Sequence, residues 1–395
     1  MNEARAIAFP LAITFAIQTL AALAVYCAPV MAPVAGPALG VSPAAVGYYI
    51  AASYLGSMFS SAAAGGWVAR FGPIRVSQVG LLLAFCGLLL AASAWPALVM
   101  LGGFVVGLGY GPATPASSAI LVRTPPKHFS LIFSIKQTGV PAGGALAGIL
   151  VPVLILAVGW QWGAVALGGA CLALALAIGG ARALYDVNLD PRAPVSLRSA
   201  LDPVRLVLAD RRLRQLCVVG IVYGGVQITL VTFLVTFLVE SFAQSLVLAG
   251  LVMSVSQVAS VTGRIAWGVL ADRVLKRRTM LGLLGIGMGV SALCALVAGP
   301  QWPLWLLFAY ASVFGATAVG WNGVFIAEVA RTAPEGKAGA ATGGSLFFTF
   351  FGVVVTPPIF NEVLAIAGSY SVAYAVFAVP AFAVGIWMLV RIPKP

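Results

Sequence analysis

Twelve apolar stretches, most of them 20 residues or longer, follow one another along this chain. They run roughly 7–28, 44–67, 76–94, 97–121, 131–156, 160–183, 214–239, 246–270, 280–298, 302–327, 340–364 and 370–390. A helix needs about 20 apolar residues to cross a bilayer, where its backbone polar groups must be satisfied within the segment. The expected fold class is therefore an all-α polytopic membrane protein with twelve transmembrane helices. Only 8% of the residues are charged, against about 25% in soluble proteins. Turns such as Trp95-Pro96, Gly159-Trp160 and Gly299-Pro300-Gln301-Trp302-Pro303 are short enough to join spans into hairpins at a membrane interface. The stretch 7–28 is too long for a signal-peptide core and lacks a clear cleavage signal, so it reads as a retained helix.

The 22 Lys and Arg residues divide unevenly between the two sides of these spans. Arg5, Arg70, Arg75, Arg123, Lys127, Arg182, the linker arginines 192, 198, 205, 211, 212 and 214, Arg273, Lys276, Arg277, Arg278, Arg331, Lys337, Arg391 and Lys394 all fall on one side. The opposite loops hold no Lys or Arg, and Glu240 and Glu362 lie at that edge. Cations concentrate in short cytoplasmic loops, so both termini are expected inside, in a cytoplasmic (inner) membrane. The net charge of +12 is then a consequence of topology, and the expected partner is the lipid bilayer rather than nucleic acid.

The longest polar stretch, 185–213, divides the chain into two six-span halves, 1–184 and 214–395. Within it Leu197, Leu201, Val204 and Leu208 recur at helical spacing between arginines, the pattern of an amphipathic helix on the inner leaflet or of a plain tether. The halves repeat. Gly65, Arg70 and Arg75 after the second span return 203 residues later as Gly268, Arg273 and Arg278 after the eighth. Arg123-Thr-Pro-Pro and Arg331-Thr-Ala-Pro follow the fourth and tenth spans at an offset of 208. Paired six-helix halves mark an alternating-access carrier. Nothing points to an enzyme: His128 is the one histidine, and no P-loop, metalloprotease or acidic metal motif occurs. No metal or cofactor is expected. The five cysteines have no ligand spacing and read as small apolar residues.

These features resemble the major facilitator superfamily over the whole length. The family's G-x-x-x-D-R-x-G-x-x-R/K-like loop is matched after the eighth span by Gly268, Asp272, Arg273 and Arg278, and after the second by Gly65, Arg70, Gly72 and Arg75, with Ala69 where the family has Asp. The resemblance implies two pseudo-symmetric six-helix bundles. It also implies a cytoplasmic gate in which Asp272, Arg273, Gly268, Arg70 and Arg75 take part, weaker in the first half for want of Asp at 69. Glu328, three residues before Arg331, reads as a local ion pair at that edge. The fifth span carries Gly139-xxx-Gly143 and Gly144-xxx-Gly148, which suit close helix approach and look like the family's glycine-proline motif.

Two cations, Lys136 in the fifth span and Arg264 in the eighth, lie inside apolar stretches. Arg264 is about six residues, or about 9 Å, from the cytoplasmic end of its helix. Such charges either snorkel to the headgroups or mark a functional site. Gln257, Ser260 and Arg264 share one helix face, repeated in the second span by Tyr54, Ser57 and Ser61. Arg264-x-x-x-Gly268 resembles the eighth-helix Arg of monocarboxylate-type and oxalate-type members, which binds substrate carboxylate, although here the Lys is on the fifth span. In the family fold the fifth and eighth helices meet between the halves. The function expected is secondary active transport of a small organic anion, a carboxylate. Arg264, Lys136, Gln257, Gln137, Tyr54, Gln18, Asn322, Trp321 and Gln227 are its candidate contacts, and Tyr26, Tyr110 and Tyr223 are further cavity residues. A coupling proton or an exchanged anion would drive it, and a monomer is expected. The alternative is a proton-driven exporter of hydrophobic compounds; it calls for a buried carboxylate in the first or fourth span, and neither has one.

Overall fold

A computed structural model describes residues 3–122, 129–193, 201–335 and 337–390. The repeat at Arg123, His128, and the linker positions Leu197 and Arg198 lie outside the described residues, as do Arg391 and Lys394. The helices are α1 Glu3–Ala38, α2 Val46–Phe71, α3 Pro73–Ala92, α4 Pro96–Tyr110, α5 Ala113–Leu121, α6 Phe129–Gln137, α7 Gly139–Ala177, α8 Arg182–Tyr185, α9 Leu201–Ala209, α10 Arg211–Phe242, α11 Leu246–Arg273, α12 Arg277–Cys294, α13 Leu304–Ala318, α14 Asn322–Thr332, α15 Ala338–Ala367 and α16 Tyr370–Val390. Among the described residues, nine stretches are long and apolar enough to cross a membrane, fewer than the twelve expected. One of them, Ser134–Tyr185, is 52 residues long and is broken at Gly159, whose φ of 83° only glycine adopts without strain. The stretches α2 and α12 fall outside the nine.

The chain forms two compact units, Met1–Ser42 with Ala52–Ala200, and Pro43–Ala51 with Leu201–Pro395. These differ from the boundaries read in the sequence, because the start of α2 groups with the second unit. There Gly47 lies against the Pro357 carbonyl and the Phe233 ring. Glu362 and Glu240 are both held by phenols of the same unit: Tyr48 donates to Glu362, and Tyr370 donates to Glu240 at 2.7 Å.

Each unit is built on the same helix crossing. In the first, a Cβ on Gly107 of α4 would overlap the Ser53 carbonyl of α2. In the second, a Cβ on Gly315 of α13 would overlap the Ser256 carbonyl of α11. Ser53 and Ser256 are 203 residues apart, and Gly107 and Gly315 are 208 apart, the offsets of the sequence repeat. Without a hydrophobic drive in lipid, helices associate through this close backbone approach. Gly315→Ala is expected to force α11 and α13 apart and cost on the order of 2 kcal/mol, the overpacking range. The purified variant should melt several degrees lower, and an unchanged melting temperature would count against the crossing.

The linker helix differs from its expected amphipathic face. Leu208, assigned to the apolar stripe, is 45% exposed, whereas Val207 is fully buried. The reason is protein contact: the helix packs on α15, where Gly344 admits the Pro203 carbonyl and Val207 side chain.

Candidate functional site

In both units one helix path is interrupted. Pro112, which has no N–H to donate, falls between α4 and α5. Residues 319–321, with Gly320 in the middle, fall between α13 and α14. Polar side chains converge on both interruptions.

In the first unit Thr114, in the first turn of α5, donates to Gln18 Oε1 of α1 at 3.2 Å. Lys136 Nζ donates to Thr114 Oγ1 at 3.4 Å and to Gln137 Oε1 at 3.1 Å. Lys136 is 0% exposed and Gln18 1% exposed, so this cluster lies in the protein interior. Gly139 packs on the Gln18 side chain and Gly143 on the Thr19 carbonyl, which brings the start of α7 against α1. A lysine wholly inside is not snorkelling. Residues 4–185 contain no Asp or Glu, so the charge is buried in a stretch with no acid of its own.

In the second unit Gln227 Oε1 of α10 accepts from Asn322 Nδ2 at 2.9 Å and from Trp321 Nε1 at 3.0 Å. Asn322 also donates to the Val319 carbonyl at 3.3 Å, and Arg264 Nε donates to the same carbonyl at 3.3 Å. Trp321 is fully buried, edge-on to Tyr223 with ring centres 5.5 Å apart. Trp267 Nε1 holds the Ala316 carbonyl at 2.7 Å, pinning α11 to α13 beside Arg264. Gln18 and Gln227 are 209 residues apart, and Thr114 and Asn322 are 208 apart. Each unit therefore repeats one arrangement: a glutamine from its first long helix, a polar residue opening the segment after the break, and a cation reaching that break. The cation comes from α6 in the first unit and from α11 in the second.

Tyr54 and Tyr26 share a hydrogen bond at 3.1 Å, with Tyr110 edge-on to Tyr54 at 6.0 Å. Gln257 is 1% exposed and its amide nitrogen has no hydrogen-bond partner among the described residues. Thr114 and the Val319 carbonyl are the contacts that sequence reasoning missed. A backbone carbonyl freed by a break leaves no mark in residue type, but the Gly111-Pro112 pair beside Thr114 is such a mark.

The loops after α2 and α11 hold the residues expected in the gate. Asp272 pairs with Arg277 at 2.6 Å, not with Arg273, which is exposed. Gly268 and Gly65 face open space, so no close approach requires glycine there. The constrained glycine is Gly72, with φ 95° and the Asp186 side chain where a Cβ would lie. Asp186 accepts from Ile74 N at 2.7 Å and Arg75 N at 3.1 Å, capping α3. A carboxylate just after α8 thus caps the start of α3, and Asp190 N bonds the Ala69 carbonyl at 3.0 Å. The side chains of Arg70 and Arg75 are exposed. Glu328 and Arg331 form a two-point ion pair at 2.7 and 3.0 Å. Arg278 donates to the Met388 carbonyl at 3.1 Å and to Gln215 at 3.3 Å; burial pulls its guanidinium below its ordinary range, and Glu328 opposes the shift.

Residues 14–357 match the sequence profile of the Major Facilitator Superfamily. A probable sulfoacetate transporter, SauU of Cupriavidus necator, is 27% identical over 363 residues, covering 82% of this chain and 81% of that protein. Among solved structures, a D-xylose-proton symporter superposes with a TM-score of 0.77 at 14% identity, over 98% of both chains. A peptide transporter, POT, in complex with sulfate gives 0.78 at 16% identity, over 96% of this chain and 93% of that one.

Proposed function

The chain belongs to the Major Facilitator Superfamily, and from that premise we propose that it carries a small organic anion across the cytoplasmic membrane by alternating access. It is a multi-pass membrane transport protein, not an enzyme. The reading includes twelve spans in two six-helix bundles with both termini cytoplasmic. Lys136 and Arg264 are the cationic contacts. Gln18, Gln137, Gln227, Tyr54, Gln257, Trp321 and Asn322 orient the anion, and Asp272, Arg273, Arg70, Arg75, Glu328 and Arg331 act in the cytoplasmic gate. The protein works as a monomer, driven by a coupling proton or an exchanged anion.

The observation that carries this reading is the repeated placement of a cation at each helix break, the buried Lys136 on Thr114 and Arg264 on the Val319 carbonyl. A buried ammonium is costly unless a counter-charge accompanies it. A carboxylate or sulfonate is the cargo whose charge a pair of such cations favours. The sulfoacetate relative supports an anionic cargo, and makes a sulfonate head as natural a candidate as a carboxylate one.

Purified protein in proteoliposomes should take up labelled sulfoacetate or malonate saturably, each inhibiting the other. Both should also raise the melting temperature, since a ligand at about 100 times its Kd stabilises the folded state by about 2.7 kcal/mol. Movement of hydrophobic cations with no anion flux would overturn the proposal in favour of an exporter of apolar compounds.

A further inference from the structure

Two amides in the second unit have only one way to face. The Trp321 indole N–H can only donate, so the Gln227 atom that meets it is the carbonyl oxygen Oε1. The Val319 carbonyl can only accept, so the Asn322 atom that meets it is the amide nitrogen Nδ2. These same two atoms, Gln227 Oε1 and Asn322 Nδ2, lie 2.9 Å from each other. Gln227 Oε1 has then filled both lone pairs, and Asn322 Nδ2 has given both protons. What is left over is the pair of N–H groups on Gln227 Nε2 and the oxygen Oδ1 of Asn322. Neither atom has a hydrogen-bond partner among the described residues. Both side chains are half-buried, and neither atom is sealed from solvent. The two heteroatoms of an amide share one carbon, so Nε2 and Oδ1 are at most about 7.5 Å apart, within the span of one small molecule. Thr114 holds the place of Asn322 in the first unit, and its hydroxyl is its only polar side-chain atom, so this leftover set belongs to the second unit.

We propose that Gln227 and Asn322 read a hydroxyl on the cargo, so that the carrier favours hydroxylated organic anions over the same anions without the hydroxyl. This deepens the anion reading above and rests on it. The two donors of Gln227 suit any anion oxygen. The acceptor Oδ1 does not: it faces away a carboxylate or sulfonate oxygen and calls for a proton that the cargo must carry. A hydroxyl and an ammonium each bring one. Arg264 Nε lies 3.3 Å from the Val319 carbonyl, which Asn322 Nδ2 also holds at 3.3 Å, so an ammonium on Asn322 would sit beside a guanidinium. Like charges at that range disfavour each other, and a neutral hydroxyl avoids the conflict. The hydroxyl donates to Asn322 Oδ1, and it or a neighbouring cargo oxygen accepts from Gln227 Nε2. A site whose polar groups are set for a hydroxyl rejects the analogue that lacks it, because its own atoms are left unpaired.

Calorimetry on the full-length protein would compare two matched pairs, tartronate with malonate and isethionate with ethanesulfonate, each pair differing by one hydroxyl. In whichever pair binds, wild type should hold the hydroxylated member about tenfold more tightly or better. In Asn322→Leu, which keeps the side-chain shape without Oδ1, that ratio should fall to about one, the hydroxylated anion losing more affinity than the plain one. Asn322→Thr puts the first unit's residue in its place, keeps a donor for Gln227 and should lower the ratio too, should N322L misfold. Aminomalonate should bind wild type less tightly than tartronate. A wild-type ratio near one, an unchanged ratio in a folded variant, an equal loss of both members, or aminomalonate binding the tighter would overturn the hydroxyl reading alone. Failure of wild type to bind any of these anions would overturn the anion reading together with it.

Discussion

Arg264→Lys is expected to weaken binding of small organic anions by about 10- to 100-fold and to abolish measurable flux at micromolar substrate, while the protein still folds. Lysine keeps the charge, so a mere requirement for positive potential would be met. What it loses is geometry. Arg264 spends Nε on the Val319 carbonyl, at the break between α13 and α14, and that anchor fixes the guanidinium plane. An ammonium has no rigid fork and no donor of fixed direction, so it cannot hold the carbonyl and present two parallel N–H groups to an anion together. A charge-assisted hydrogen bond contributes about 1.5–3 kcal/mol, which is the fold-change stated. Arg264→Ala should go further, because the Val319 carbonyl also loses a donor. Calorimetric affinity, proteoliposome flux and the ligand-free melting temperature read the three consequences separately. Wild-type flux in both variants would sink the assignment of Arg264.

Arg264 and Lys136 were legible in the sequence because a charge within an apolar stretch is conspicuous, and Gln18 and Gln227 because few amides occur in the spans. What brings them to the helix breaks was not legible. Thr114 is an ordinary residue until Pro112 interrupts the fourth span and Lys136 donates to its hydroxyl. The Asp186 cap on α3 was invisible for a different reason: Asp186 lies more than 100 residues away and acts on backbone N–H groups, which every residue but proline has. The linker helix went wrong in face rather than in kind. A hydrophobic stripe says that a surface is covered, and lipid and α15 leave the same periodicity. The 203- and 208-residue offsets, by contrast, carried further than a motif. They pair Ser53 and Gly107 with Ser256 and Gly315 in the same crossing, which neither helix pair announces on its own.

Lys136→Met should move stability and function in opposite directions. Lys136 is wholly buried, hydrogen-bonded to Thr114 and Gln137, in a stretch without acidic residues. Keeping its ammonium there has a desolvation cost, and a methionine of similar length removes that cost and fills the space with a flexible apolar chain. Replacing buried ion pairs by apolar side chains of similar volume is neutral or stabilising by about 1–4 kcal/mol, and the desolvation cost removed here is of the same kind. Against this, two acceptors lose a donor, at about 1 kcal/mol each, although the Thr114 hydroxyl keeps its bond to Gln18. The net expectation is a ligand-free melting temperature equal to wild type or a few degrees higher. The rise that wild type shows on adding sulfoacetate or malonate should vanish, because the cation that the anion neutralises is gone. Lys136→Arg should keep part of that rise. A lysine present only to brace α6 against α5 would give the reverse: K136M would melt well below wild type, and the anion-induced rise would remain intact. The sign of the ligand-free shift thus separates a side chain retained at a cost for the cargo from one retained for the fold.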